Sequence, residues 1–150
     1  MIELGSILVF LVIGYVFGTL AEKRHFRSLR EREVLSQELP ALVADTVDTT
    51  QQIEQAYLVV GATVIAIDYF KAFAAALRSF FGGRVAVYET LLERARRESI
   101  LRMKAEAAGC DLIVNVRIET SSIGGEHQGK NKINSVECYA YGTAIRYARH

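Results

Sequence analysis

Hydrophobic and polar positions divide the chain into an apolar beginning, a charged segment and a longer mixed region. The run Leu4–Ala21 has no charged side chain, and as a helix it spans about 27 Å, close to the hydrocarbon thickness of a bilayer. The residues that follow are rich in cations up to Pro40, whose ring disfavours a helical residue before it. This pattern predicts a single transmembrane helix over residues 1–21 and a charged juxtamembrane helix over residues 22–40.

The charges around the apolar run predict its orientation. Lys and Arg follow the run and none precedes it, so the positive-inside rule places the N-terminus outside and everything after Ala21 in the cytoplasm. A cleaved signal peptide is the alternative, because Thr19–Ala21 resembles a cleavage site, but such a peptide carries its positive charge before the apolar run. We therefore expect a single-pass protein of the bacterial inner membrane whose basic segment contacts membrane lipid.

Gly14 and Gly18 lie four residues apart within the apolar run. Small residues at this spacing allow two membrane helices to approach closely, so the pair is a candidate packing surface for self-association. Glycine is also common in membrane helices in general, and the spacing alone leaves both interpretations open.

The mixed region, residues 41–150, has the pattern of an α+β domain. Its longest apolar run, Ala56–Ile67, has hydrophobic side chains on both faces of a strand, which is typical of a strand covered on both sides. This order of elements predicts a small antiparallel sheet with two helices on one face. The other predicted elements are a short strand over 42–50, helices over 69–81 and 85–108, a strand in which Val114, Val116 and Ile118 point inward, a polar loop over 124–131, and a final strand from Ile133.

The final strand has small side chains on one face and large ones on the other. Cys138 and Ala140 belong to the small face, which allows a helix to pack closely. Tyr139 and Tyr141 belong to the large face, and tyrosine is enriched at interfaces between proteins. We expect the tyrosine face to be buried by oligomerisation or to form a ligand pocket between subunits.

Composition and charge exclude several classes of protein. The net charge of +1 gives no bulk attraction to nucleic acid. The two cysteines form no CxxC pair, so the sequence predicts neither a zinc motif nor a disulfide framework. No nucleophile stands in a recognisable pattern with a histidine and an orienting acid, and we expect no enzyme activity.

The stretch "FFGGRVAVYE" joins the two predicted helices. Gly82 and Gly83 could present backbone N–H groups to an anion at a helix N-terminus, with Arg84 adding positive charge. The structural alternative is that Gly82 caps the first helix and Gly83 turns the chain. The Lys-Ser/Thr pair of a P-loop is absent, which favours the structural interpretation. We expect Arg84, Tyr88 and Glu89 to form a polar clasp within or between subunits.

Several motifs in this region resemble the YbjQ-like family. They are "GGRVAVYE", "MKAEAAGCD", "VNVRIETS" and "AYGTAI", in this order within about residues 49–147. The resemblance implies a small α+β fold that assembles into a ring-like, pentameric homo-oligomer, in a family that is catalogued as heavy-metal-binding but whose biochemical role is largely uncharacterised. Tyr69-Phe70-Lys71 departs from the Phe-Arg-Asp that members often show, so no role of that aspartate is carried over. The apolar run at the beginning is an addition to the family pattern.

A metal site is the alternative function that the resemblance raises. A soft or borderline metal ion needs convergent Cys, His or carboxylate ligands, and no short ligand spacing is present. Cys138 or His127, repeated around a ring, could supply such ligands. We nevertheless expect no cofactor, because a buried free cysteine commonly acts as a small hydrophobic residue.

The sequence thus predicts a membrane-anchored, cytoplasm-facing homo-oligomeric scaffold or binding protein without catalytic activity. Its expected partners are further copies of itself in a pentameric ring, membrane lipid and a cytoplasmic protein. The alternative is a sensor of heavy metals or small ligands with sites at the subunit interfaces.

Overall fold

A computed structural model describes the backbone of residues 2–44, 47–48, 50–66, 86–123, 126–127, 130–131 and 135–149. The side chains at 2–8, 11, 86–88, 122, 126–127 and 130–131 are outside this description. The predicted helix over 69–81 and the turn at 82–84 also lie outside the described residues. In chain order the elements are α1 (Ile2–Leu35), β1 (Ile53–Ala66), α2 (Ala86–Glu106), β2 (Leu112–Ile123), β3 (Glu126–His127), β4 (Lys130–Asn131) and β5 (Ser135–Tyr147).

Helix α1 combines the apolar run and most of the charged segment in one continuous element. Large apolar side chains of its first half are exposed, with Phe10 at 69% and Phe17 at 68%. Among the residues that the structure describes, no helix has both the length and the hydropathy needed to cross a membrane. The transmembrane span predicted for residues 1–21 is therefore not confirmed.

Strands β1, β5 and β2 form an antiparallel sheet in which β5 is central. Ala62 of β1 and Glu119 of β2 both lie opposite Tyr139 of β5, so these three side chains share one face. Together with the two described helices, the sheet confirms the α+β class that the sequence predicts.

Helix α2 covers one face of the sheet and contacts both β1 and β5. Ala95, Ser99 and Met103 recur at helical spacing on its inner side, and each is 0% exposed. The contact is unusually close at Gly61 of β1. A Cβ atom added there would lie 1.9 Å from the carbonyl oxygen of Ser99 and 2.4 Å from the backbone nitrogen of Met103. Only glycine therefore allows α2 to approach β1 in this way.

The two unlike faces predicted for the final strand are confirmed. Cys138, Ala140 and Ala144 are each 0% exposed beneath α2, whereas Tyr139 on the opposite face is 41% exposed. Small side chains on the covered face let the helix approach the sheet, and the larger side chains extend away from it.

The regular alternation predicted for β2 is wrong, because a β-bulge interrupts the strand. Asn115 adopts a φ of 54°, and the register with β5 shifts directly after Val114. The extra residue moves Val114 to the face opposite α2, while Val116 joins the core beneath the helix. Ile118 lies opposite Ala140 on the covered face, as predicted, and is 39% exposed.

A predicted strand and a predicted loop also differ from the structure. The described residues of the segment predicted as a strand over 42–50 form no strand. Directly before it, Ala41 makes an isolated parallel bridge with Ile113, and the Leu42 N–H donates to the Ile113 carbonyl at 2.8 Å. These residues thereby occupy part of the free edge of β2. The region predicted as a polar loop over 124–131 contains the short antiparallel pair β3 and β4, which forms a separate two-stranded sheet.

Candidate functional site

The sheet face opposite α2 is the first candidate surface, and we call it the open face. No described helix or strand packs on it. Leu58 is 68% exposed and Val64 is 56% exposed, although both belong to a strand whose other face lies in the core. The exposed part of the open face consists of Leu58, Val60, Ala62 and Val64 from β1, Glu137, Tyr139, Tyr141 and Thr143 from β5, and Arg117, Glu119, Ser121 and Ile123 from β2. At one end of the same face, Val114 and Ile145 are buried, at 3% and 2% exposed.

The three strands give the open face three different rows of side chains. β1 contributes an apolar row, β5 a row with two tyrosines, and the middle of β2 the charged residues Arg117 and Glu119. The neighbouring carboxylate of Glu137 raises the pKa of the Tyr139 hydroxyl, so this tyrosine stays neutral over a wider pH range. An apolar strip with a charged margin resembles the core and rim of a protein–protein interface.

The structure brings together only some of the predicted site residues. Tyr139 and Tyr141 lie two residues apart on the open face. Glu89 is exposed in the first turn of α2. The side chain of Tyr88 and all of Arg84 are outside the described residues, so the predicted polar clasp stays a prediction. Gly14 and Gly18 both lie in α1.

The contact between α1 and α2 is the second candidate site. The sequence predicts its apolar residues on α1 but not its ion pairs. Phe26, Leu29 and Glu33 share one side of α1, as their spacing indicates, and this side faces α2. Leu29 is 0% exposed. The Phe26 ring lies beneath two guanidinium groups, with its centroid 5.8 Å from Arg94 and 5.7 Å from Arg97.

Ion pairs hold the two helices together on either side of these apolar contacts. Glu98 accepts hydrogen bonds from Arg32 and, at 2.9 Å, from Arg102 Nε. Glu33 accepts hydrogen bonds at 2.6 Å from both Nε and Nη2 of Arg97. These arginines lower the pKa of both carboxyl groups, with the hydrogen bonds from Arg32 and Arg97 as the largest causes.

Sequence reasoning missed the ion pairs between the helices. The i,i+4 spacing predicts the pairs Glu93–Arg97 and Glu98–Arg102 within α2, and both are present. It also places Glu98 on the outer face of α2, which is wrong, because α1 covers this residue and leaves it 6% exposed. The apolar pair Phe26 and Leu29 on an otherwise charged helix was the available signal that α1 docks on another element.

The two cysteines are the sulfur ligands that a metal site would use. Cys138 is 0% exposed beneath α2, and its Sγ lies 3.2 Å from Ser99 Oγ. Cys110 Sγ lies 3.2 Å from the Tyr57 hydroxyl, and this hydrogen bond raises the pKa of Tyr57. His127 belongs to β3, with its side chain outside the description. Within the described part of the chain, no group of three or more His, Cys, Asp or Glu residues could hold a metal ion.

A cavity of about 620 Å³ lies beside the C-terminal ends of α1 and α2. Its lining includes Arg32, Arg102 and Lys104. Arg32 and Arg102 already bind Glu98, and Lys104 Nζ donates to the Ser36 carbonyl at 3.0 Å. Cations are favourable near the carbonyl groups at helix C-termini, so the charges of these three residues are explained without an anionic ligand. Arg149 also lines the cavity.

These features define a small α+β domain that has an exposed amphipathic sheet face and an N-terminal helix held by ion pairs. Residues 41–148 match the family YbjQ_1, which is described as "Putative heavy-metal-binding". The chain therefore belongs to the YbjQ_1 family, as the sequence motifs indicate. The match ends before the last two residues and begins after α1.

Relatives from distant organisms share this domain. An UPF0145 protein of Psychrobacter arcticus is 40% identical over 95 residues, which are 62% of this chain and 55% of that protein. The chain thus covers about half the length of that relative. An UPF0145 protein of Natronomonas pharaonis is 36% identical over 106 residues, which are 68% of this chain and 92% of that protein.

A solved structure with limited similarity comes from Pediococcus pentosaceus. It is a protein of unknown function from the DUF74 family, 15% identical in sequence, and the alignment covers 73% of this chain and 96% of that one. The TM-score is 0.36, which is too low to support a structural argument.

Proposed function

We propose that the protein is a non-catalytic assembly or binding protein whose open face binds further copies of the same chain. The observation that carries this proposal is the exposure of Leu58 and Val64 on a strand whose opposite face lies in the core. A second copy that covered them would gain roughly 1.5–3 kcal/mol for each side chain that became fully buried. Tyr139 would add an aromatic ring with a polar tip at the centre of the contact.

The ring-like, pentameric arrangement is the form of assembly that we propose, and it rests on the family resemblance. The three rows of the open face give one margin an apolar character and the other a charged character. A ring requires head-to-tail contacts, in which the open face of one copy meets a different surface of the next, and such contacts close into a ring when the rotation between subunits allows it.

The absence of catalysis is part of the proposal and rests on the contacts of the described nucleophiles. Cys138 contacts the hydroxyl of Ser99, and Cys110 contacts the hydroxyl of Tyr57. Neither hydroxyl is a base that would activate a thiol at neutral pH. A role in binding requires no such base.

Two matched valine substitutions test the assembly. Val64 is 56% exposed on the open face, and Val43 is 71% exposed outside it. We expect Val64→Glu to reduce the mass of the full-length protein, measured by light scattering in mild detergent, to that of smaller species. Val43→Glu should leave the mass unchanged. A wild-type monomer, or equal masses for both variants, would contradict the proposal.

Metal binding is the second candidate, and the family description favours it. Cys138 is 0% exposed, so an ion would have to displace α2 from β5 to reach this sulfur. We expect elemental analysis of gently purified protein to find less than stoichiometric metal. Stoichiometric metal that is lost in Cys138→Ser or His127→Ala would establish the metal-binding alternative instead.

We also propose that the apolar beginning of α1 attaches the protein to the cytoplasmic side of the bacterial inner membrane. The uncharged run Leu4–Ala21 and the cations after it support this location. The protein should stay with membranes during washing with high salt and alkaline carbonate, and Val12→Lys with Val16→Lys should release it. Release of the wild-type protein by these washes would contradict membrane attachment, without bearing on the open face.

A further inference from the structure

The contact between α1 and α2 contains buried nitrogen atoms that have no hydrogen-bond partner among the described residues. They are His25 Nδ1, Arg32 Nε and Arg94 Nε. All three belong to side chains of the two helices that meet here, and the Arg94 guanidinium lies over the Phe26 ring. A buried polar atom without a partner is costly, so this contact combines strong ion pairs with an unfavourable feature.

The charges that surround His25 are mostly positive. Arg94 and Arg102 approach from α2 and Arg32 from α1, while Glu98 is the acidic group that acts on the imidazole. Glu98 already accepts hydrogen bonds from Arg32 and Arg102. Arg94 forms no ion pair within the described residues, and Glu22, one turn before His25, is engaged in another interaction.

We propose that His25 makes the docking of α1 on α2 sensitive to pH. The contact closes when the imidazole is neutral and opens when protonation adds a further cation beside Arg32, Arg94 and Arg102. Opening would free the basic half of α1, residues 22–35, from the domain while the sheet and α2 remain folded.

The electrostatics of the docked state give the direction of this effect. Burial is the largest cause that lowers the pKa of His25 below its ordinary value of 6.5, followed by the charge of Arg94. A lowered pKa in the docked state means that the contribution to docking is fully present above pH 6.5 and is lost as the pH falls through the docked pKa. A single proton changes the ratio of docked to undocked protein by at most about tenfold per pH unit.

The carboxylates at the same contact titrate in a different range. The pKa values of Glu33 and Glu98 are lowered from 4.5 by hydrogen bonds from Arg97 and Arg32. Their contribution to docking is therefore present above pH 4.5 and is lost only below it. A change in docking between pH 6.5 and 4.5 is therefore caused by protonation of His25 and not by protonation of these carboxylates.

A single tryptophan can report this change in the full-length protein. The chain contains no tryptophan, so Phe26→Trp places the only indole directly beneath Arg94 and Arg97. We expect its emission to shift to longer wavelength as the pH falls from 7 to 5, with far-UV circular dichroism unchanged. His25→Gln in the same background should remove this shift, and His127→Gln should preserve it.

Arg94 provides a second test of the mechanism. Arg94→Gln removes one of the cations that oppose protonation, so the docked pKa of His25 should move back toward its ordinary value. The emission shift between pH 7 and 5 should then become smaller than in the parent protein. The matched change Arg96→Gln, at an exposed position of α2, should leave the shift unchanged.

Clear outcomes would overturn the proposal. One is an emission shift that persists in His25→Gln, and another is the absence of any shift above pH 4.5. If Phe26→Trp itself prevents docking, amide hydrogen exchange in residues 25–33 of the unmodified protein gives the same information. After correction for intrinsic rates, protection there should fall between pH 7 and 5 in the wild type and stay constant in His25→Gln.

Discussion

The two faces of the sheet use the same three strands but are completed differently. Beneath α2, Gly61 and Cys138 are small enough for the helix to lie directly on the strands, and the side chains around them are almost fully buried. On the open face, Leu58 and Tyr139 extend from the same strands and stay exposed. The covered face is therefore completed within one chain, whereas the open face has the composition of a surface that another molecule covers.

The covered face also continues outward through a second layer. α2 presents Glu98 and Arg97 to α1, and the ion pairs there fix the helix that carries the apolar run. Packing on this side is thus specified from the sheet to α1. An apolar pattern along a strand therefore predicts that the strand is buried, but it does not show which element or molecule covers it.

The largest expected effect comes from filling the closest contact of the covered face. Gly61→Ala would place Cβ within 1.9 Å of the Ser99 carbonyl oxygen, so α2 would have to move. We expect a loss of about 3 kcal/mol or more in the free energy of unfolding, or failure to fold. Urea denaturation followed by circular dichroism measures this loss.

The neighbouring position on the other face provides the control. Ala62→Val adds a larger side chain to the open face, where no described element lies above it. At protein concentrations too low for assembly, the free energy of unfolding should change by less than about 0.5 kcal/mol. Equal losses at both positions would show that the two faces do not differ as described.

Truncation of a core side chain should have the next largest effect. Met103 is 0% exposed within the cluster that includes Val59 and Ala140. Met103→Ala should lower the free energy of unfolding by about 2–5 kcal/mol at any protein concentration. Leu58→Ala on the open face should instead cause a loss that depends on protein concentration, because it acts through assembly.

Breaking the ion pairs between α1 and α2 should lower the free energy of unfolding by a smaller amount. Glu98→Gln removes the charge that Arg32 and Arg102 share, and both arginines are partly exposed. We expect a loss of about 1–2 kcal/mol, between the values for surface and buried pairs. Glu93→Gln, which affects only a surface pair of Arg97, should lower the stability by about 0.5 kcal/mol or less. Thermal unfolding of both variants at pH 7 compares them.

The smallest effect is expected from removing one hydroxyl group of the open face. Tyr139→Phe keeps the aromatic ring, so the free energy of unfolding should change by less than about 0.5 kcal/mol. The mass of the assembly should also stay the same by light scattering. A loss of assembly would show that the hydroxyl, and not the ring, carries the contact.

Much of the fold can be predicted from the sequence because its patterns are local. The alternation of Cys138 and Ala140 with Tyr139 and Tyr141 predicts both faces of β5, and helical spacing predicts the inner side of α2. Gly109, with a φ of 83°, follows α2 where the sequence places the helix end. Each of these features depends on residues that are close in the chain.

Other features could not be predicted because they depend on distant residues. The bulge at Asn115 shows in the register with β5, and although asparagine adopts a positive φ more readily than most residues, a single asparagine does not predict where a strand gains an extra residue. The burial of Glu98 depends on Arg32, which lies 66 positions away. Of the candidate site, the tyrosine row is predicted from the sequence, whereas the apolar row of β1 is identified as exposed only once the strands are paired.

The emission of a single tryptophan on the open face tests the central claim most directly. Tyr139→Trp gives the protein one indole, located between the apolar and charged rows. If another copy covers this face, the emission lies at short wavelength at high protein concentration and moves to long wavelength on dilution or in Val64→Glu. Emission typical of a water-exposed indole at every concentration would contradict the account.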